Sequence, residues 1–151
     1  PSGRRTLRKP ASSFRAQASP GPDDVASTAA FQPLPKMAVY SASKAFVLSF
    51  TEALWAEERG HGVRVLAVCP GLTDTPFFEL AGGGAATAAS GPLAQAFTRT
   101  PQQVVGHTIR ALSGHKSSFV DGAANAVVIR GLNRLLPRRL VVALAGRLIH
   151  G

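Results

Sequence analysis

Cysteine is almost missing from this chain: Cys69 is alone, so no internal disulfide can form and no multi-thiolate metal cage can be built. His61, His107, His115 and His150 show no metal-ligand spacing and no carboxylate cluster around them. They read as surface or capping residues, and no metal is expected. Acids are also few, eight against seventeen Lys and Arg, for a net charge of +9. Such an excess raises nucleic acid or an acidic membrane as partners. The basic residues, however, gather at the ends, as Arg4, Arg5, Arg8, Lys9 and Arg15 and as Arg130, Arg134, Arg138, Arg139 and Arg147. Neither group is interleaved with the aromatics of a stacking platform, and no nucleic-acid module is recognisable, so solvated basic ends are expected. Aromatics are sparse, with Tyr40 and Trp55 beside eight Phe. No run approaches the ~18 consecutive apolar residues of a membrane span, and the N-terminus has no apolar signal region. With a lone cysteine, these absences point to the cytoplasm.

What is present reads as one globular domain behind a leader. In 151 residues, 45% are hydrophobic and 17% charged, enough for one real core. Residues 1–24 are rich in Arg, Ser and Pro, lack Val and Ile, and end in the breaker cluster Pro20-Gly21-Pro22-Asp23-Asp24. They are expected to be disordered or a non-native leader, with the domain over 25–151. Tyr40 to Arg59 holds no Gly or Pro and predicts a helix, stopped by Gly60-His61-Gly62. Val63 to Cys69 is an apolar run ended by Pro70-Gly71, as in a buried parallel strand feeding a loop. Residues 81–91, small and Gly/Ala-rich, predict a mobile loop. Thr100-Pro101 predicts an N-cap and a helix to about Leu112, and Ser117 to Val120 a further strand turning at Asp121-Gly122. Apolar, Arg-studded helices are expected over Asn125–Leu136 and Arg138–Ile149, flanking Pro137. This alternation is the rhythm of an α/β fold with a parallel sheet.

The chemistry begins at Tyr40-Ser41-Ala42-Ser43-Lys44. Spacing of i and i+4 on a helix puts the phenol and the ammonium on one face. A phenol is a poor acid or base near neutrality, with an unperturbed pKa of about 10, and a fixed ammonium favours its phenolate. Such a pair alone is a weak signal. Ser27 precedes Tyr40 by thirteen residues, and Cys69-Pro70-Gly71-Leu72-Thr73-Asp74-Thr75 follows the next strand.

In these stretches, Val25 to Ala30, Met37 to Ala45 and Val65 to Thr75, the chain resembles the short-chain dehydrogenase/reductase family. The resemblance implies the C-terminal half of a Rossmann-like, doubly wound parallel sheet. It implies an NAD(P)-dependent oxidoreductase interconverting an alcohol and a carbonyl. By that resemblance Tyr40 exchanges the proton with the substrate oxygen. Lys44 assists the phenol and binds the nicotinamide ribose, and Ser27 polarises the substrate oxygen. Pro70 and Gly71 lie along the nicotinamide, with Thr73 and Thr75 as further cofactor contacts. Thr73 can equally satisfy loop backbone groups. Cys69 reads as inert packing and Asp74 as a solvated carboxylate.

The family's Gly-rich βαβ unit, which cradles the pyrophosphate, has no counterpart here, and the resemblance stops at about Val25. Whether the cofactor is NAD or NADP is therefore not readable. A frame-shifted or wrongly joined start is the favoured explanation of residues 1–24, ahead of a degenerate paralogue and a targeting peptide. The alternative function is a catalytically inactive remnant with at most a partner-binding role. The apolar tail suggests a hydrophobic small-molecule substrate. Peripheral membrane contact by the tail ranks below plain packing. A homo-oligomer is implied for the intact protein, through the small residues Ala38, Ala42, Ala45 and Ser49.

Overall fold

The computed structural model describes residues 24–77, 80, 95 and 97–150. Of the leader only Asp24 is included, and the loop expected at 81–91 lies outside the described residues. Three short strands form a parallel sheet in the order β1 (Asp24–Val25), β2 (Ala67–Cys69), β3 (Ser118–Val120). Val25 pairs with Val68, which pairs on its other side with Phe119. Asp24 opens β1 one residue ahead of the expected boundary, because its backbone pairs with Ala67. β2 is shorter than the apolar run Val63 to Cys69, since β1 and β3 reach only its last residues. Among the described residues β1 is an edge strand, paired only with β2, and its Val25 is 58% exposed.

Between β1 and β2 run a 3-10 turn (Thr28–Phe31) and the long helix α1 (Ala38–Glu58). α1 persists because nothing in its span breaks it, and it ends where Gly60 takes φ +91°, a conformation glycine adopts without a Cβ clash. α2 (Pro101–Leu112) starts as its sequence predicts. Thr100 Oγ1 accepts from the Gln103 N–H at 3.3 Å, and Gln103 Oε1 accepts from the Thr100 N–H at 3.0 Å. This reciprocal box satisfies two otherwise orphaned donors at the helix start. α3 (Ala123–Leu135) and α4 (Arg138–His150) flank Pro137, with α3 beginning two residues before Asn125.

The core around the sheet is built mostly of small side chains, Ala26, Ala67, Cys69 and Val120 with the larger Leu48, and Phe31, Val47 and Ala126 pack against them. Small residues let α1 approach the strands closely. Polar ties then fix its position. Thr51, fully buried, places Oγ1 2.7 Å from Asp24 Oδ2 and 2.8 Å from the Val47 carbonyl. Lys44 Nζ donates to the Val25 carbonyl at 2.9 Å. Glu52 accepts from Ser118 Oγ at 2.8 Å, reaching across to β3. Thus one helix is fastened to both outer strands, and all three strands run with their carboxyl ends at the same side.

Candidate active site

In an open parallel sheet, ligands bind in the crevice beyond the carboxyl ends of the strands. Here that edge carries three loops in a row: Ala26-Ser27 after β1, Pro70-Gly71 after β2 and Asp121-Gly122 after β3. They are stitched together through backbone. The Ala26 N–H donates to the Val68 carbonyl at 2.8 Å, the Thr28 N–H to the Pro70 carbonyl at 2.9 Å, and the Asp121 N–H to the Cys69 carbonyl at 3.1 Å. The sheet ladder therefore continues one step past the strands and fixes the relative positions of the loops.

Ser27 lies two residues past β1 with its side chain buried, and Oγ accepts from the Ala29 N–H at 3.1 Å, capping the 3-10 turn. That bond uses a lone pair and leaves the hydroxyl proton for another acceptor. Tyr40 and Lys44 sit one helical turn apart, with Lys44 Nζ 5.8 Å from the Tyr40 ring centroid. Both are half-buried. The bond from Lys44 to the Val25 carbonyl holds its ammonium two residues from Ser27 and uses one of its three donors. On its other side the Tyr40 ring meets Phe77 at 5.4 Å between centroids, which brings the loop after Gly71 against the phenol.

The loop residues are occupied among themselves. Thr73 Oγ1 donates to the Gly71 carbonyl at 3.3 Å, and the exposed Thr75 donates to the Thr73 carbonyl at 3.4 Å. This is the geometry of hydroxyls satisfying a turn's own backbone. The segment at Arg99 extends the edge. Thr73 bridges to Arg99 in parallel, with the Asp74 N–H donating to the Arg99 carbonyl at 2.8 Å and the Arg99 N–H to the Leu72 carbonyl at 2.9 Å. Asp74 itself is exposed, as expected of a solvated carboxylate.

Behind the Pro70-Gly71 turn lies a polar corner that the sequence does not announce. Asp121 is fully buried, and its Oδ1 lies 2.6 Å from Nδ1 of His107 on α2. The sequence alone makes His107 an ordinary surface or capping residue; in the fold it partners a buried carboxylate. Asn125 on α3 donates to the Asp121 carbonyl at 3.0 Å. Its amide also presses on Gly71, where an added Cβ would meet Nδ2 at 2.5 Å. Gly122 takes φ +84°, a conformation that strains any side chain, and a Cβ there would sit tightly against Asn125 at 3.1 Å and Arg99 at 3.3 Å. Asp121 Oδ2 and Arg99 Nε are buried without hydrogen-bond partners among the described residues. The nearest sequence signal for this corner is the turn pair Asp121-Gly122, since nothing local marks its partners.

Cys69 ends β2, fully buried, and burial pushes its thiol up to about 12, with the charge of Glu52 adding to the effect. It stays protonated and serves as packing. Among the described residues no group of His, Cys, Asp and Glu is arranged to hold a metal ion. No helix among them is long and apolar enough to cross a membrane.

Residues 24–82 match the profile of the short chain dehydrogenase family. The chain is 29% identical over 107 residues to 2-(R)-hydroxypropyl-CoM dehydrogenase of Xanthobacter autotrophicus, covering 67% of this chain and 41% of that protein. It is 46% identical over 65 residues to a putative ketoacyl reductase of the monensin polyketide synthase from Streptomyces virginiae, covering 43% of this chain and 25% of that protein. Among solved structures, a 7β-hydroxysteroid dehydrogenase superposes with a TM-score of 0.67 at 25% identity, over 80% of this chain and 45% of that one. The chain therefore spans less than half the length of these relatives. Its parallel α/β sheet and its sequence agree in their likeness to the short-chain dehydrogenase family, whose profile matches residues 24–82.

Proposed function

We propose that this chain carries the proton-handling side of an NAD(P)-dependent oxidoreductase that interconverts an alcohol and a carbonyl. The observation that carries this reading is the placement of Tyr40, Lys44 and Ser27 around the carboxyl end of β1, with the Pro70-Gly71 turn bonded beside them. The nicotinamide cofactor, when bound, supplies or accepts the hydride. The residues present suit its nicotinamide end. Lys44 keeps two free donors for ribose hydroxyls, and the exposed Thr75 and half-buried Pro70 and Gly71 offer a surface for the ring. Thr73 lines the same loop.

In the reductive direction Tyr40 donates its phenolic proton to the substrate oxygen as negative charge develops there. Ser27, with its Oγ proton uncommitted, donates a hydrogen bond to that same oxygen and stabilises the charge. Lys44 is locked by the Val25 carbonyl beside the phenol, so its positive charge stabilises the phenolate left behind. In the oxidative direction the Tyr40 phenolate takes the proton from the alcohol, with Ser27 and Lys44 in the same places. The names of the relatives, a ketoacyl reductase and a hydroxysteroid dehydrogenase, support a hydrophobic carbonyl compound as substrate. They also support the enzymatic reading over that of an inactive remnant. A lone free thiol at Cys69 suits the cytoplasm. Exposed Val39 and Phe46 on α1 suit a second copy packed on that helix.

The test is oxidation of NADPH or NADH in the presence of an apolar ketone. Turnover is expected to need the ketone and to fall by about 10²- to 10⁴-fold in Tyr40→Phe. Turnover that survives Tyr40→Phe unchanged, or failure of the folded protein to bind either reduced nucleotide, would sink the proposal.

A further inference from the structure

From Gly122 to Gly151 the chain contains no Asp or Glu, but has Arg130, Arg134, Arg138, Arg139 and Arg147. Among the described side chains, most apolar residues of α3 and α4 are exposed. On α4, Val141 and Ala145 face inward at 4% exposure each, while Leu140 and Leu144 are 51% and 41% exposed. At helical spacing Leu140, Leu144 and the exposed Arg147 share the outer face. On α3, Ile129 is buried, while Val127 is 72% and Leu135 82% exposed, with Arg130 and Arg134 exposed beside them. Both helices thus turn mixed Leu/Val and Arg surfaces outward, and they pack against each other.

An apolar face in water calls for a cover, and charge selects what that cover can be. A second copy docking by the same face would set Arg130, Arg134 and Arg147 against their own kind, with no acid from these helices to pair them. Like charges brought together in this way oppose association. An acid-free surface with exposed aliphatic residues among long Arg side chains fits instead a sheet of anionic headgroups. There the guanidinium groups pair with phosphate while the aliphatic residues enter the acyl boundary. We infer that the outward faces of α3 and α4 form a basic, apolar platform that rests on an anionic lipid surface.

This inference is independent of the catalytic reading, and its test uses no turnover. The full chain is sedimented with vesicles of phosphatidylcholine alone, and with vesicles of phosphatidylcholine mixed with phosphatidylglycerol. Binding is expected only to the mixed vesicles, weakening as salt rises. Leu140→Ser with Leu144→Ser leaves the net charge unchanged and is expected to lower partitioning by about tenfold or more. Arg134→Gln with Arg147→Gln is expected to lower it and to flatten its salt dependence. Far-UV circular dichroism checks that each variant keeps its helices. Four results would overturn the inference. One is no binding by the folded protein, and another is equal binding to both vesicle types. A third is partitioning unchanged by the leucine substitutions, which would reduce the effect to net charge. The last is a dimer in solution that those substitutions dissolve.

Discussion

The two flanks of the carboxyl edge are built differently. On the α1 flank, Tyr40 and Lys44 are half-buried, and Lys44 has donors to spare. On the β3 flank, Asp121 is fully buried, and it is held by His107 while its own carbonyl holds Asn125. A half-exposed group with spare valences can meet a ligand. A buried carboxylate tied to its neighbours can only place them. The first flank therefore offers chemistry and the second offers position, with the Pro70-Gly71 turn between them resting on Asn125.

The largest test of that division is the pairing of Tyr40→Phe with Asp121→Ala. Removing the phenolic oxygen is expected to abolish most turnover and to shift stability by less than about 0.5 kcal/mol, as for a change away from buried networks. Asp121→Ala strands His107 and opens space in a buried corner, with an expected loss of roughly 2–3 kcal/mol. Urea unfolding followed by far-UV circular dichroism measures both. Equal destabilisation by the two substitutions would erase the distinction between the flanks.

Gly71→Ala tests how the second flank acts on the turn. The new Cβ must displace the Asn125 amide, whose bond to the Asp121 carbonyl is 3.0 Å, so a cost of about 1–2 kcal/mol is expected. Asn125→Ala removes the obstacle, and the double variant should be more stable than the sum of the single costs predicts. A double-mutant cycle in urea reads this coupling directly. Strict additivity would mean that Asn125 does not support the turn.

Most of the first flank is legible in the sequence. Tyr40 and Lys44 lie on one helix, so their juxtaposition follows from a period of 3.6, and the strand ends at Ser27 and Pro70-Gly71 are marked by composition. The capping box at Thr100 and Gln103 is local too, and α2 starts where those residues predict. Asp121 and His107 are fourteen residues apart and meet only because α2 returns beside β3. Asn125 reaches Gly71 across more than fifty residues. Neither pairing has a periodic or compositional signature, so the corner becomes visible only when the chain is folded. Composition overstates strand length for a related reason: Val63 to Leu66 have strand character, but pairing is set by how far the neighbouring strands reach.

A smaller effect concerns how α1 is held over the sheet. Thr51→Val keeps the volume near constant and deletes the hydroxyl shared by Asp24 and the Val47 carbonyl. A loss of about 1 kcal/mol is expected, together with faster amide exchange at Ala26, whose N–H donates to the Val68 carbonyl, as β1 loosens. If Thr51→Val leaves both exchange and stability untouched, Lys44 alone holds the strand, and the α1 flank is less constrained than its bonds suggest.

The smallest effect belongs to Cys69, which sits between the flanks at the end of β2. Its thiol is raised from 9.0 to about 12 in the folded chain, chiefly by burial. Between those values the unfolded chain has lost the thiol proton while the folded chain keeps it. Stability from this group is therefore complete below about pH 9 and is lost as pH rises toward 12. One pH unit above the unfolded value, the loss is roughly 1 kcal/mol. Cys69→Ala carries no thiol, so the difference in unfolding free energy between it and the parent should be flat to pH 9 and shrink above it. Titrating other groups leaves that difference unaffected, because both proteins carry them. A difference that stays flat through pH 10 would place solvent at the end of β2, and the loops on either side would then be less firmly joined than their backbone bonds imply.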